Sequence, residues 1–257
     1  MALIHVDFIS DVLHMSTQMD VLLPEESKGK VERPYPVLYL LHGMSDDHTA
    51  WQRKTSIERY TDGRNLAVVM PTTHLGWYSD QVYGPQYWTF LSRELPGIVR
   101  RFFPNISEKR EDTFVAGLSM GGYGALKCVL SAPDVFCAAG ALSAGADVLS
   151  FAEAYTQSGV FRDIYGDSLE TIRSGENDLF VQAEKLAASG KPLPDIYMWC
   201  GLQDGLLEGN RKMRDCLTRL RYPLTYEESD GTHSWPYWDE KIRTVLDWLP
   251  RRERREE

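Results

Sequence analysis

The run Phe114-Val115-Ala116-Gly117-Leu118-Ser119-Met120-Gly121-Gly122-Tyr123-Gly124 sets a serine in a Gly-x-Ser-x-Gly turn, between an apolar stretch and a helical pattern. A serine hydroxyl is a weak nucleophile until its surroundings expose and activate it. A sharp strand-to-helix turn does the first part, because strained backbone pushes Oγ outward and glycines at 117 and 121 let neighbouring backbone approach closely. The helix that starts at the serine adds amide groups and a dipole that favour negative charge there. The chemistry this predicts is attack by Ser119 on an acyl carbonyl. A five-residue pattern arises by chance, but chance does not place it between a buried strand and a helix.

An activated serine needs a base and an acid to orient that base. Where the serine stands on such an elbow, the chain order is serine, acid, histidine. Six histidines occur, His5, His14, His42, His48, His74 and His233, and only His233 follows Ser119. It sits in Glu227-Glu228-Ser229-Asp230-Gly231-Thr232-His233-Ser234-Trp235, a loop between an expected strand and the last expected helix. For the acid, Asp195-Ile196-Tyr197-Met198-Trp199-Cys200-Gly201 reads as a strand, followed at once by Leu202-Gln203-Asp204. A carboxylate there would accept the Nδ1 proton of His233 and stabilise the imidazolium. Asp230 and Glu208 are the rivals. Asp230, three residues from His233, better suits a loop cap, so Asp204 is expected.

Two backbone amides are expected to hold the oxyanion: that of Met120, just after the nucleophile, and that of Met44, in Leu40-Leu41-His42-Gly43-Met44 at the end of an earlier strand. His42 is expected to be a structural hydrogen-bonder. Trp77 and Tyr78, after a strand ending at Pro71, and Trp235, beside His233, are expected at the substrate pocket, with ordinary packing the competing reading for these aromatics.

These residues require a scaffold that brings strand ends together. Residues 3 to 10 alternate, with Ile4, Val6 and Phe8 on one face, and Met19 to Leu23 reads as an antiparallel partner. Continuous apolar runs at 36–41, 66–70, 113–116, 138–142 and 196–200 suit strands covered on both faces, with a further strand at 224–226. Helical spacing appears over 87–103, where Pro96 and Gly97 predict a kink, and over 120–131, 208–220 and 236–248. Alternating strands and helices predict an α/β fold: a mostly parallel central sheet with an N-terminal antiparallel hairpin and helices on both faces. Residues 1–257 read as a single domain. The polar, glycine-bearing stretch at 146–192 interrupts the rhythm and is expected to be a lid-like insertion near the strand tips.

The 257 residues, 43% hydrophobic and 25% charged, have an ordinary globular balance that excludes disordered and fibrous classes. A net charge of −9 would repel a phosphate backbone, so no nucleic-acid partner is expected. The Arg-rich end at 251–257 carries its own acids and reads as a solvated tail. Cys128, Cys137, Cys200 and Cys216 lack metal-like spacing and read as reduced buried thiols. No apolar run reaches membrane length and no signal segment opens the chain, so no membrane partner and a cytoplasmic location are the default expectations.

With these residues assembled, the chain resembles the esterase D-like group of α/β-hydrolases, with its strongest likeness to bacterial tributyrin esterases. The motifs that carry the likeness are Val37 to Ser45, Asn65 to Pro71, Gly76-Trp77-Tyr78, Glu94-Leu95-Pro96, Phe102-Phe103-Pro104, Gly117 to Gly124, Trp199-Cys200-Gly201 and Gly231-Thr232-His233. The resemblance implies the α/β-hydrolase fold, the triad Ser119, Asp204 and His233, and an oxyanion hole from the Met44 and Met120 amides. It implies a serine carboxylesterase that needs neither metal nor cofactor, acts on short acyl esters from acetyl to butyryl, acetylated carbohydrates among them, and allows a homo-oligomer. Related branches keep open a feruloyl esterase, an S-formylglutathione-type thioesterase or an acyltransferase on the same triad. A binding protein without turnover is the remaining class, and a triad in the correct order speaks against it.

Overall fold

The computed structural model describes residues 1–25, 31–154, 159–168, 172 and 175–250. Its frame is an eight-stranded sheet: β1 (Ala2–Ser10), β2 (Met15–Leu23), β3 (Val37–Leu41), β4 (Ala67–Pro71), β5 (Thr113–Leu118), β6 (Ala138–Leu142), β7 (Asp195–Gly201) and β8 (Leu224–Ser229). The spatial order is β1-β2-β4-β3-β5-β6-β7-β8. β1 and β2 form an antiparallel hairpin, β2 meets β4 antiparallel, and every pair from β4 to β8 is parallel. In β3 to β6 every residue is buried, which is why those strands read as unbroken apolar runs and not as alternating ones.

Two apolar layers cover the sheet. On one side, helices α1 (Ala50–Lys54), α2 (Ile57–Thr61) and α10 (Trp235–Trp248) enclose Leu38, Leu40, Phe114, Leu118 and Ile242. On the other, α3 (Tyr87–Thr89), α4 (Leu95–Phe102), α5 (Met120–Ser131), α8 (Leu179–Ala188) and α9 (Leu207–Arg219) enclose Tyr39, Val115, Leu126, Ala183 and Leu217. Alternate residues of β5 therefore serve opposite layers. From β3 the chain moves to β4 on one flank, and β5 then takes its place on the other. The strand order reverses there, so the loops after β3 and β5 part and open a crevice at the carboxyl ends of the strands.

Two expectations change. The irregularity of the 87–103 helix lies one turn before Pro96: Phe90–Glu94 is a π-helical turn, closed by the Leu95 amide donating to the Phe90 carbonyl. Proline has no N–H and its ring crowds the carbonyl four residues back, so widening the preceding turn relieves both problems. The 146–192 stretch is also not one irregular excursion. It carries α6 (Val148–Ala154), α7 (Gly159–Tyr165) and α8. Of these, α8 is the crossover helix between β6 and β7, with Leu179, Ala183 and Leu186 buried. Asp178 caps it, its carboxylate accepting from the Phe180 and Val181 amides at 3.0 and 3.3 Å. Parts of the expected insertion (155–158, 169–171, 173 and 174) lie outside the described residues. Helix α7 is tied down: the Val82 and Tyr83 amides donate to the Ile164 and Asp163 carbonyls.

Candidate active site

Ser119 stands between β5 and α5 with φ 54° and ψ −117°, a left-handed backbone that a non-glycine residue adopts only under constraint. The constraint is local packing. A Cβ at Gly117 would lie 2.4 Å from the Gly121 carbonyl oxygen, and one at Gly121 would lie 2.4 Å from that of Leu41. Only glycines permit a turn this tight against β3. The Ser119 amide donates to the Leu142 carbonyl at 2.9 Å, while its carbonyl accepts from Tyr123 and Gly145 amides at 3.0 Å each. The hydroxyl is thus held at the head of α5, over the crevice.

His233 reaches it from the loop between β8 and α10. Its Nε2 lies 3.0 Å from Ser119 Oγ, and its Nδ1 lies 2.9 and 3.1 Å from the two oxygens of Asp204. Asp204 is a carboxylate, so Nδ1–H donates to it and Nε2 is left to accept the serine proton. The edge of the ring also meets Trp238, with centroids 4.8 Å apart. Asp204 is 5% exposed. Burial pushes its carboxyl up, but hydrogen bonds from His233 and the Leu206 amide outweigh this and hold it below its ordinary value. Its rivals do not share this place. Asp230 is the acceptor of a 3.4 Å contact from Gln203, and Glu208 lines the cleft wall.

The two loops carrying the acid and the histidine are stitched together. The Leu202 and Gln203 amides donate to the Ser229 and Gly231 carbonyls, and the Gly231 amide donates back to Gln203 Oε1 at 2.8 Å. Asn210 does similar work beneath the cleft: its side chain exchanges hydrogen bonds with both backbone groups of Ala144 and donates to the Leu206 carbonyl. Sequence reasoning missed Gln203 and Asn210. The one available signal for Asn210 is a polar residue on the apolar side of α9.

Across the crevice, the Asp46 amide donates to the Gly43 carbonyl at 3.2 Å, closing a four-residue turn with Ser45 at φ 70°. In such a turn the amide of the second residue, here Met44, is not consumed by the turn itself. Met120 opens α5, where the first amides have no intrahelical acceptor. His42 secures the turn. Burial pushes its pKa down to about 4, so it is neutral; Nδ1–H donates to the Gly43 carbonyl at 2.7 Å and Nε2 accepts from the Thr73 amide at 3.0 Å.

The structure moves two expected pocket residues elsewhere. Trp77 and Tyr78 are 1% and 0% exposed and lie in the core. Both adopt φ 47°, which turns the pair inward. Trp77 packs between Tyr123, Phe151 and Phe161, and Tyr78 donates to the His42 carbonyl at 2.9 Å. They support the site from behind. Trp235 lines the cleft and meets Trp51 and Trp238 edge-on.

The cleft holds about 780 Å³ and is lined by Ser119 and His233 together with apolar surface from Met44, Leu118, Phe151 and Trp235. Its rim carries Asp46, Asp147 and Glu208 against a single lysine, Lys212, among the described residues. Asp147 is held below its ordinary value: burial pushes it up, but the Ser150 amide and the Lys212 ammonium, 3.0 Å away, prevail. Among the described residues no group of three histidine, cysteine or acidic side chains could hold a metal ion, and no helix is long and apolar enough to cross a membrane. The four cysteines are buried, and burial raises each thiol pKa.

Known proteins share this frame. An acetyl esterase from Caldicellulosiruptor saccharolyticus is 30% identical, the match covering 97% of this chain and 98% of that one. The fluorophosphonate-binding serine hydrolase F of Staphylococcus aureus superposes with a TM-score of 0.90 at 33% identity, covering 96% and 98% of the two chains. An S-formylglutathione hydrolase (FrmB) from the same organism gives 0.87 at 33% identity and the same coverage. Residues 10–249 match the putative esterase family, and the chain belongs to that family as a carboxylic ester hydrolase of the α/β-hydrolase fold.

Proposed function

We propose that the protein is a serine esterase for short acyl esters, acetyl to butyryl, working through an acyl-enzyme on Ser119. The observation that carries this reading is the unbroken chain of contacts from Asp204 through His233 to Ser119 Oγ, with no step longer than 3.1 Å. His233 Nε2 takes the hydroxyl proton as Oγ attacks the ester carbonyl. The Met44 and Met120 amides receive the oxyanion, each donor contributing roughly 3–4 kcal/mol to the transition state. The tetrahedral carbon then expels the alcohol, which leaves with the proton from His233. Water, deprotonated by the same nitrogen, attacks the acyl-enzyme and releases the acid. None of these steps calls for a metal or cofactor.

The short acyl preference draws support from the acetyl esterase relative, and deacetylation of carbohydrates is the finer form of the same reading. A second reading, a thioesterase of the S-formylglutathione type, is favoured by the FrmB likeness. The rim weighs against it. Glutathione bears two carboxylates and one ammonium, and three rim carboxylates against one lysine disfavour a net anion.

Hydrolysis of p-nitrophenyl acetate and butyrate by wild type and Ser119→Ala tests the proposal. Rapid turnover in the wild type and a loss of at least about 10³-fold in a folded mutant are expected. Comparable turnover by the mutant would overturn the assignment of the nucleophile.

A further inference from the structure

The cleft straddles the two layers of the fold, and this gives its halves different tasks. His233, Trp235 and Trp238 belong to the α10 side, where Trp235 and Trp238 join the layer containing Trp51 and Ile242. Phe151 and Ala146 belong to the opposite side, the layer of Trp77, Tyr123 and Phe161. In acyl transfer the leaving oxygen must lie within reach of His233 Nε2, because that nitrogen supplies its proton. The alcohol therefore occupies the α10 side. The acyl substituent on the same tetrahedral carbon is directed across Ser119, toward α6.

Phe151 closes that direction. Its ring lines the cleft, while Trp77 stands behind it with centroids 4.9 Å apart and Phe161 beside it at 5.8 Å. Helix α6 is anchored at its head and along its inner side. Val148 and Ala152 are buried beneath the helix. Asp147 Oδ1 accepts from the Ser150 amide at 3.1 Å at the head of α6, and Asp147 Oδ2 meets Lys212 of α9 at 3.0 Å. A Cβ at Gly209 of α9 would lie 3.4 Å from that of Asp147, so the two helices approach closely.

We infer that Phe151 is a specificity-determining residue: its ring, backed by Trp77 and Phe161, ends the acyl channel and sets the length of acyl chain the enzyme accepts. This rests on the esterase reading above. Removing the ring extends the channel toward an aromatic, apolar interior, where each further buried methylene is worth roughly fourfold in rate. Enlarging it shortens the channel, and overfilled apolar sites reject extra volume.

The test is the kcat/KM of p-nitrophenyl acetate, butyrate, hexanoate and octanoate with wild type, Phe151→Ala and Phe151→Trp. The octanoate-to-acetate ratio is expected to rise by about tenfold or more in Phe151→Ala. The butyrate-to-acetate ratio is expected to fall by about threefold or more in Phe151→Trp, which guards against a simple loosening of α6 in the alanine variant. Ratios unchanged in both variants, with wild-type turnover intact, would overturn the inference alone. No ester turnover by the wild type would remove the esterase reading and the inference with it.

Discussion

Asp204 and Asp230 are both carboxylates that precede His233 in the chain, and their surroundings separate them. Asp204 is buried with both oxygens within 3.1 Å of Nδ1, whereas Asp230 is exposed and makes its side-chain contact to Gln203. An amide at 204 would accept through its oxygen yet leave the imidazolium without a balancing charge and free the ring to take the wrong tautomer. Asp204→Asn is therefore expected to lower kcat by about 10³–10⁴-fold on p-nitrophenyl acetate, and Asp230→Asn by less than about threefold. Steady-state kinetics on the two variants check this; the reverse ranking would move the acid to Asp230. At this scale the sequence is legible where chain order and a local motif encode a placement, as with the contact between Ser119 and His233. It is not legible at Trp77 and Tyr78. Two successive non-glycine residues at positive φ invert the side-chain directions that a loop after a strand would otherwise present, and nothing in the pattern Gly76-Trp77-Tyr78-Ser79 signals it.

Elements decide how far apart the loops are and what roofs them. The strands are readable because central parallel strands are covered on both faces and so become apolar runs. Helix α8 is hidden because its apolar residues run together at its start, Leu179-Phe180-Val181, with no spaced stripe, and because a polar, glycine-containing stretch precedes it. Its start is nevertheless written at Asp178, whose side chain takes two amides that would otherwise lack acceptors. Asp178→Ala should lower stability by ~1 kcal/mol, read as an earlier urea midpoint with unchanged slope. An unchanged midpoint would mean that the cap contributes nothing to holding this crossover. Neither α6 nor α7 has a sequence signal of comparable strength, since their order depends on partners far along the chain: Lys212 for the first and the Val82–Tyr83 loop for the second.

The whole molecule converts topology into chemistry. Reversal of strand order between β3 and β5 opens the crevice, the tight glycine turn holds Ser119 above it, and the stitched loops after β7 and β8 carry Asp204 and His233 to the same edge. In the proposed reaction the two layers of helices give the cleft an alcohol side and an acyl side. In the proposed mechanism one hydroxyl, on Ser119, does the attack. Covalent labelling tests it most directly: the protein is treated with an alkyl fluorophosphonate and the modified peptide is located by mass spectrometry. A single adduct on Ser119, formed in step with loss of ester turnover and absent from Ser119→Ala, is the predicted result. An adduct on another residue, or full inactivation with Ser119 unmodified, would contradict the account.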